Sequence, residues 1–321
     1  MIKKLDDKYI SELKNVNFHL IFIMGMQRSG TSILYKMLSS TNYFNIVTAY
    51  HVLNYDKILY NHINNFEQNE KNKLDKFFKN KSQLNRGIDK MQLNSGFAEE
   101  YGFILGNILN DSRIKPDSLP IFIQMCKKIQ FISKNNKPIL LKNPFDFPNF
   151  KYISETFPDA KMIFIHRNPM KTLNSQIKAL RTLLKEKSEY MALLSSSYNK
   201  LFKSKLLLAY FRFLHRYLKP YIVKKQINRL ADATNYYLEN IKLLDNNYYI
   251  NLKYEDLCKK PDKEMEKILK FLKIKPLKTI NFNDFIKARK TTNLVEIKKR
   301  KNYIYKKMKP YFNRFDYSLI N

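Results

Sequence analysis

The sequence predicts an α/β fold: a parallel sheet with helices on both faces and an inserted helical cap. Three observations lead there. Short segments rich in β-branched and aromatic residues alternate with longer stretches of helical pattern. A glycine loop follows the first of those segments directly. A strandless, basic stretch then occupies residues 176–230. Strands separated by helices imply a parallel sheet buried on both faces. The 321 residues, 44% of them hydrophobic, suit one large domain over 1–321 with 176–230 as a helical insertion.

Taken in order, the strand segments are 18–24, 44–49 (the weakest), 138–141, 161–166 and 248–252. In such sheets the ligand lies outside the carboxyl ends of the strands, so the residues that follow each strand matter most. The first is followed by Gly25-Met26-Gln27-Arg28-Ser29-Gly30-Thr31-Ser32, and then by Ile33 to Leu38 with an apolar helical face. Strand, glycine loop and helix together form a phosphate-binding context. Glycines let successive N–H groups turn inward, and the helix N-terminus adds partial positive charge. Arg28 adds a planar fork of donors. The spacing is that of a nucleotide-hydrolysing loop, so the sheet is read as P-loop-like. Thr31, however, stands where an NTPase needs the lysine that reaches its β- and γ-phosphates.

The segment 161–166 ends at His166, which places Arg167 at a strand's carboxyl end. Asn168-Pro169 reads as a helix cap followed by a first-turn proline. Ser175 stands eight residues after Arg167, about two helical turns on.

The loop resembles the 5′-phosphosulfate loop of the sulfotransferases that use PAPS (3′-phosphoadenosine-5′-phosphosulfate). It is most similar to the Arg-Ser-Gly-Thr branch of bacterial and tyrosylprotein enzymes. The resemblance implies that Gly25, Gln27, Arg28, Ser29, Gly30, Thr31 and Ser32 cradle the donor. It also implies that Arg167 and Ser175 bind its 3′-phosphate. Leu140-Leu141-Lys142-Asn143-Pro144 resembles the family's strand ending in Lys-x-Pro, whose lysine approaches the transferring group. Arg28 and Lys142 are therefore the expected catalytic cations. Tyr254-Glu255-Asp256-Leu257 resembles a late structural element, and 294–312 fits the closing helix. For the general base, His51 stands after the weak second strand, and Glu99-Glu100 resembles an acidic patch of bacterial members. A histidine needs little tuning to act near neutrality, and the choice among His51, Glu99 and Glu100 stays open. No carboxylate cluster with metal spacing adjoins the loop, so no metal is expected. The donor would be PAPS and its product PAP; the acceptor class is open.

The formal net charge of +31 favours anionic partners, but no nucleic-acid motif is present and none is expected to bind. Residues 176–230 hold thirteen Lys or Arg against two Glu, interleaved with Leu, Tyr and Phe. Two readings apply. The apolar stripe Leu206, Tyr210, Phe213, Leu214 and Tyr217 packs on the core, or the segment touches an anionic membrane with Lys203, Lys205, Arg212 and Arg216. Cys126 and Cys258 lack ligand spacing and read as idle thiols of a reducing compartment. Met1 to Lys4 are followed by polar residues, and the run 18–26 is too short to span a membrane; a cytoplasmic protein is expected. The competing readings are a phosphotransferase with a degenerate loop and a non-enzymatic basic protein that binds membrane or nucleic acid.

Overall fold

A computed structural model describes residues 5–80, 93–275, 280–286 and 292–319; the basic start Met1 to Lys4 lies outside them. Among the described residues five strands form one sheet: β1 (Leu20–Met24), β2 (Asn45–Ile46), β3 (Ile139–Lys142), β4 (Lys161–His166) and β5 (Tyr249–Lys253). Their order is β2-β3-β1-β4-β5 and every pairing is parallel. Each expected segment overlaps one strand; β3 and β5 run one residue further, to Lys142 and Lys253. Alternate side chains feed opposite faces, as the period of two requires. Leu20, Phe22 and Met24 join the core on one face with Ile139, Leu141, Met162 and Phe164. Ile21 and Ile23 join the other with Leu140, Ile163 and Ile165.

The second strand is much shorter than 44–49. Thr48 leaves the ladder to make an antiparallel bridge with Ala98, and its hydroxyl accepts the His51 N–H to start a helix at Ala49. A capping side chain competes here with further strand pairing.

The helices that bear on the site are as follows. Helix α1 (Thr31–Ser39) follows the glycine loop and buries Leu34, Tyr35, Met37 and Leu38; truncating one such leucine to alanine costs about 2–5 kcal/mol. Helix α2 (Ala49–Leu53) is the short one begun by Thr48. Helix α3 (Pro169–Lys185) leaves β4. Helices α4 (Glu189–Leu194), α5 (Ser196–Lys203) and α6 (Lys205–Tyr217) each begin on a serine cap. The hydroxyls of Ser188, Ser195 and Ser204 accept the N–H groups of Met191, Tyr198 and Leu207, each satisfying one orphan donor. Helix α7 (Lys219–Asn240) returns to the core through Val223, Ile227, Leu230 and Tyr237. The limits 176 and 230 both fall inside helices, α3 and α7, which also pack in the α/β core. Helix α8 (Lys301–Arg314) closes the chain over the β4 side, with Tyr311 Oη 2.8 Å from His166 Nδ1.

The topology locates the site. The chain leaves β1 toward β2 on one side and leaves β4 toward β5 on the other. The connections out of β3 and β4 both run opposite to that out of β1, so the carboxyl end of β1 is flanked by switch points, where sheets of this kind bind ligands.

Candidate active site

The glycine loop turns sharply off β1. Ser29 N–H donates to Met26 O at 3.0 Å. A Cβ on Gly25 would sit 2.7 Å from Ser29 Oγ and 2.8 Å from Ile165 Cγ2, so only glycine fits the turn. Gly30 has φ 108°, and a Cβ there would run into the Tyr254 ring. Arg28 also holds a left-handed conformation, φ 69°, which a residue with a Cβ rarely adopts. Gly30 is the N-cap of α1 and offers no side chain. The first-turn amides have no intrahelical acceptor and stand at the positive end of the helix. An anion is their natural partner.

The second motif clasps this loop. Asn168 caps α3 by accepting from Met170 N–H at 2.9 Å, with Pro169 in the first turn. Arg167 Nη1 donates to Arg28 O at 2.8 Å. Arg28 Nε donates to Ser175 Oγ at 3.1 Å, and Gln176 Nε2 donates to Gln27 O at 2.9 Å. The Arg167 guanidinium lies 4.3 Å from the centre of the Tyr254 ring, within cation–π range. Glu255 Oε1 accepts the Asn168 N–H at 3.0 Å, a scaffold contact. Ser29 Oγ, Arg167 Nε and Thr172 Oγ1 are buried with no hydrogen-bond partner among the described residues. Their three residues line one small cavity. Buried polar atoms are nearly always paired, and this cavity, about 10 Å³, has room for no more than a water molecule.

The other flank is built on β3. Lys142 is almost fully buried, and its Nζ donates to Ser32 Oγ at 3.0 Å and to Glu100 Oε1 at 2.8 Å. Glu99 is fully buried. Its Oε1 accepts from Tyr190 Oη at 2.7 Å and its Oε2 accepts the Glu100 N–H at 3.2 Å. Tyr35 holds the floor: its hydroxyl donates to Leu140 O at 3.1 Å and accepts the Val47 N–H at 3.2 Å. Burial pushes its pKa far above the ordinary tyrosine value.

Arg28 Nε is engaged by Ser175, beside Arg167. His51 is buried, and its Nδ1 accepts the Thr48 N–H at 3.2 Å, completing a capping box with the Thr48 hydroxyl. The ring also bonds the Ile46 backbone, and burial with the nearby Lys71 charge lowers its pKa to about 4. An imidazole bonded to the backbone in this way has no lone pair to take a substrate proton. His51 is a cap, a placement that argues against it among the three base candidates.

Sequence reasoning missed four contributors. Tyr254 follows the end of β5, so the rule about residues after strands pointed to it. Gln176 adjoins Ser175. Thr172 lies on the same helix and carried no signal. Tyr190 reaches Glu99 from α4, a contact between residues 91 apart that no local pattern announces.

The sequence profile of the sulfotransferase family matches residues 21–277, which include both motifs, Lys142 and the two glutamates. No curated protein matches the chain in sequence. Among solved structures, sulfotransferase STF9 from Mycobacterium avium superposes with TM-score 0.65 at 14% identity, covering 98% of this chain and 80% of that one. Sulfotransferase STF1 from Mycobacterium tuberculosis H37Rv gives 0.54 at 13% identity, over 84% and 71%. Identities that low speak for the fold alone. The profile match spans well over half the chain and contains the clasped loop, and on that ground the chain belongs to the sulfotransferase family.

Proposed function

We propose that this protein transfers a sulfuryl group from PAPS to a hydroxyl or amine without a metal ion. The observation that carries the reading is the clasp. Two arginines and Ser175 meet at a lysine-free phosphate loop at the N-terminus of α1. PAPS, when bound, supplies the activated sulfuryl group. The loop amides and the Thr31 and Ser32 hydroxyls hold its 5′-phosphosulfate. Arg167, Ser175 and Arg28 hold its 3′-phosphate. Lys142, tied to Ser32, neutralises charge that develops on the transferring oxygens and on the leaving phosphate; fixed donors of this kind act without reorganising.

Glu100 is the base in this reading. It is joined to the loop through Lys142 and Ser32, whereas Glu99 is enclosed under Tyr190. The acceptor oxygen attacks sulfur as the bond to the 5′-phosphate oxygen breaks. The acceptor proton goes to Glu100, and a sulfate ester and PAP leave.

Calorimetry tests the donor. PAP is expected to bind in EDTA, with ATP a poor competitor. Tight Mg²⁺-dependent ATP binding and no PAP binding would overturn the proposal in favour of a phosphotransferase.

A further inference from the structure

We infer that α6, with the end of α5 and the start of α7, is a docking face for an anionic lipid bilayer. Leu206, Tyr210, Phe213 and Tyr217 recur at helical spacing and share one face. They are 86%, 56%, 53% and 60% exposed. No residue of α6 is buried, so the stripe does not pack on the core. Single exposed apolar residues are ordinary, but four in a row on one helix face mark an interaction surface.

The charge around the stripe selects the partner. Between Glu189 and Asp232 the sequence has no acidic residue and nine Lys or Arg. Lys203, Lys205, Arg216 and Lys219 are exposed around the stripe, and Lys205 and Arg216 line a groove beside Phe213 and Tyr217. A helix with projecting apolar groups beside flanking cations matches the headgroup boundary of an anionic membrane. A second copy of the chain would bring the same cations together, which opposes self-association. A nucleic-acid backbone satisfies the cations but gives the exposed leucine nothing apolar to enter.

The face is firmly mounted. Arg212 Nε donates to Leu184 O at 2.9 Å and Arg212 Nη2 to Lys185 O at 2.8 Å. These are last-turn carbonyls of α3, which lack intrahelical donors. Arg212 is thus structural, and the bilayer contact is left to its neighbours. Ser175 lies on the same helix about 15 Å away along the axis, at 1.5 Å per residue. Docking therefore sets the catalytic crevice close to the lipid surface.

Vesicle sedimentation with the full chain tests this. One variant carries Lys203→Gln, Lys205→Gln and Arg216→Gln; a second carries Leu206→Ser and Phe213→Ser. Vesicles of mixed phosphatidylglycerol and phosphatidylcholine should pellet the native protein at low salt, and vesicles of phosphatidylcholine alone should not. The first variant should bind about a hundredfold more weakly, from a factor of about five per basic residue. The second should also lose binding, with its melting temperature unchanged. Equal supernatant recovery with both vesicle types overturns the proposal. So does native binding by the Leu206/Phe213 variant together with native retention on immobilised DNA, which would make the face a general polyanion site. The readout does not involve sulfuryl transfer, so this proposal and the proposed function fail independently.

Discussion

The two flanks of the glycine loop are built differently. On the β4 side, Arg28, Arg167, Ser175 and Gln176 bond one another and the loop backbone directly. All come from two short motifs that follow adjacent strands. On the β3 side, a relay runs from Ser32 through Lys142 to Glu100, with Glu99 beside it held by Tyr190. Its parts come from a strand end, a loop and a helix far along the chain. The first arrangement surrounds fixed charge and suits holding a ligand. The second couples a cation to an acid and suits moving a proton. The contrast predicts that substitutions on the β4 flank change donor binding, while those on the β3 flank change turnover.

The largest expected effect is at Glu100. Glu100→Gln should lower turnover by about 10²–10⁴-fold, the usual contribution of a positioned base, and leave PAP affinity unchanged. Steady-state kinetics with an identified acceptor, paired with PAP calorimetry, measures both. If Glu99→Gln carries the loss instead, the proton path runs through the Tyr190 contact.

Lys142→Met should come next, with turnover down about 10²–10³-fold, the effect of removing one charge-stabilising donor. The same variant should lose less in PAP affinity than in turnover, because PAP keeps the 5′-phosphate but lacks the sulfuryl group that Lys142 also faces. Equal losses in PAP affinity and turnover would erase the distinction between the flanks.

Arg167→Ala should weaken PAP binding about tenfold to a hundredfold, in line with a hydrogen bond to a charged group. Turnover at saturating donor should stay near native. Arg28→Ala should resemble Arg167→Ala more than Lys142→Met, since Arg28 bonds Ser175. A collapse of turnover with unchanged PAP affinity would return Arg28 to the transferring group.

The smallest effect on activity belongs to His51. Glutamine at this helix position also completes a capping box, so His51→Gln should keep native turnover; loss of turnover would reinstate His51 as the base. Its effect should appear in acid stability. Burial lowers the pKa of His51 to about 4 and that of His166 to about 3. The unfolded chain, with histidines near 6.5, therefore takes up these protons first. Their contribution is complete above about pH 6.5 and is lost as pH falls toward 4 and 3. Melting temperature against pH should decline over that window, and less steeply in His51→Gln.

The sequence by itself determined the sheet, the loop and the β4 flank. Strand periodicity is local, glycine and Asn-Pro mark turns and caps within a few residues, and ligand residues must follow strands. It also determined that Lys142 stands at a strand end. Only the tertiary structure decided which base candidate meets Lys142, because Glu100, Lys142 and Ser32 lie on three separate segments. It placed His51, one of three base candidates, as a cap, since whether an imidazole bonds solvent or backbone depends on what encloses it. It also decided the fate of the α6 stripe. Amphipathic spacing shows that a helix has an apolar face; the packing of its neighbours decides where that face points. Here Arg212 ties the helix down to α3, and Leu206, Tyr210, Phe213 and Tyr217 face outward.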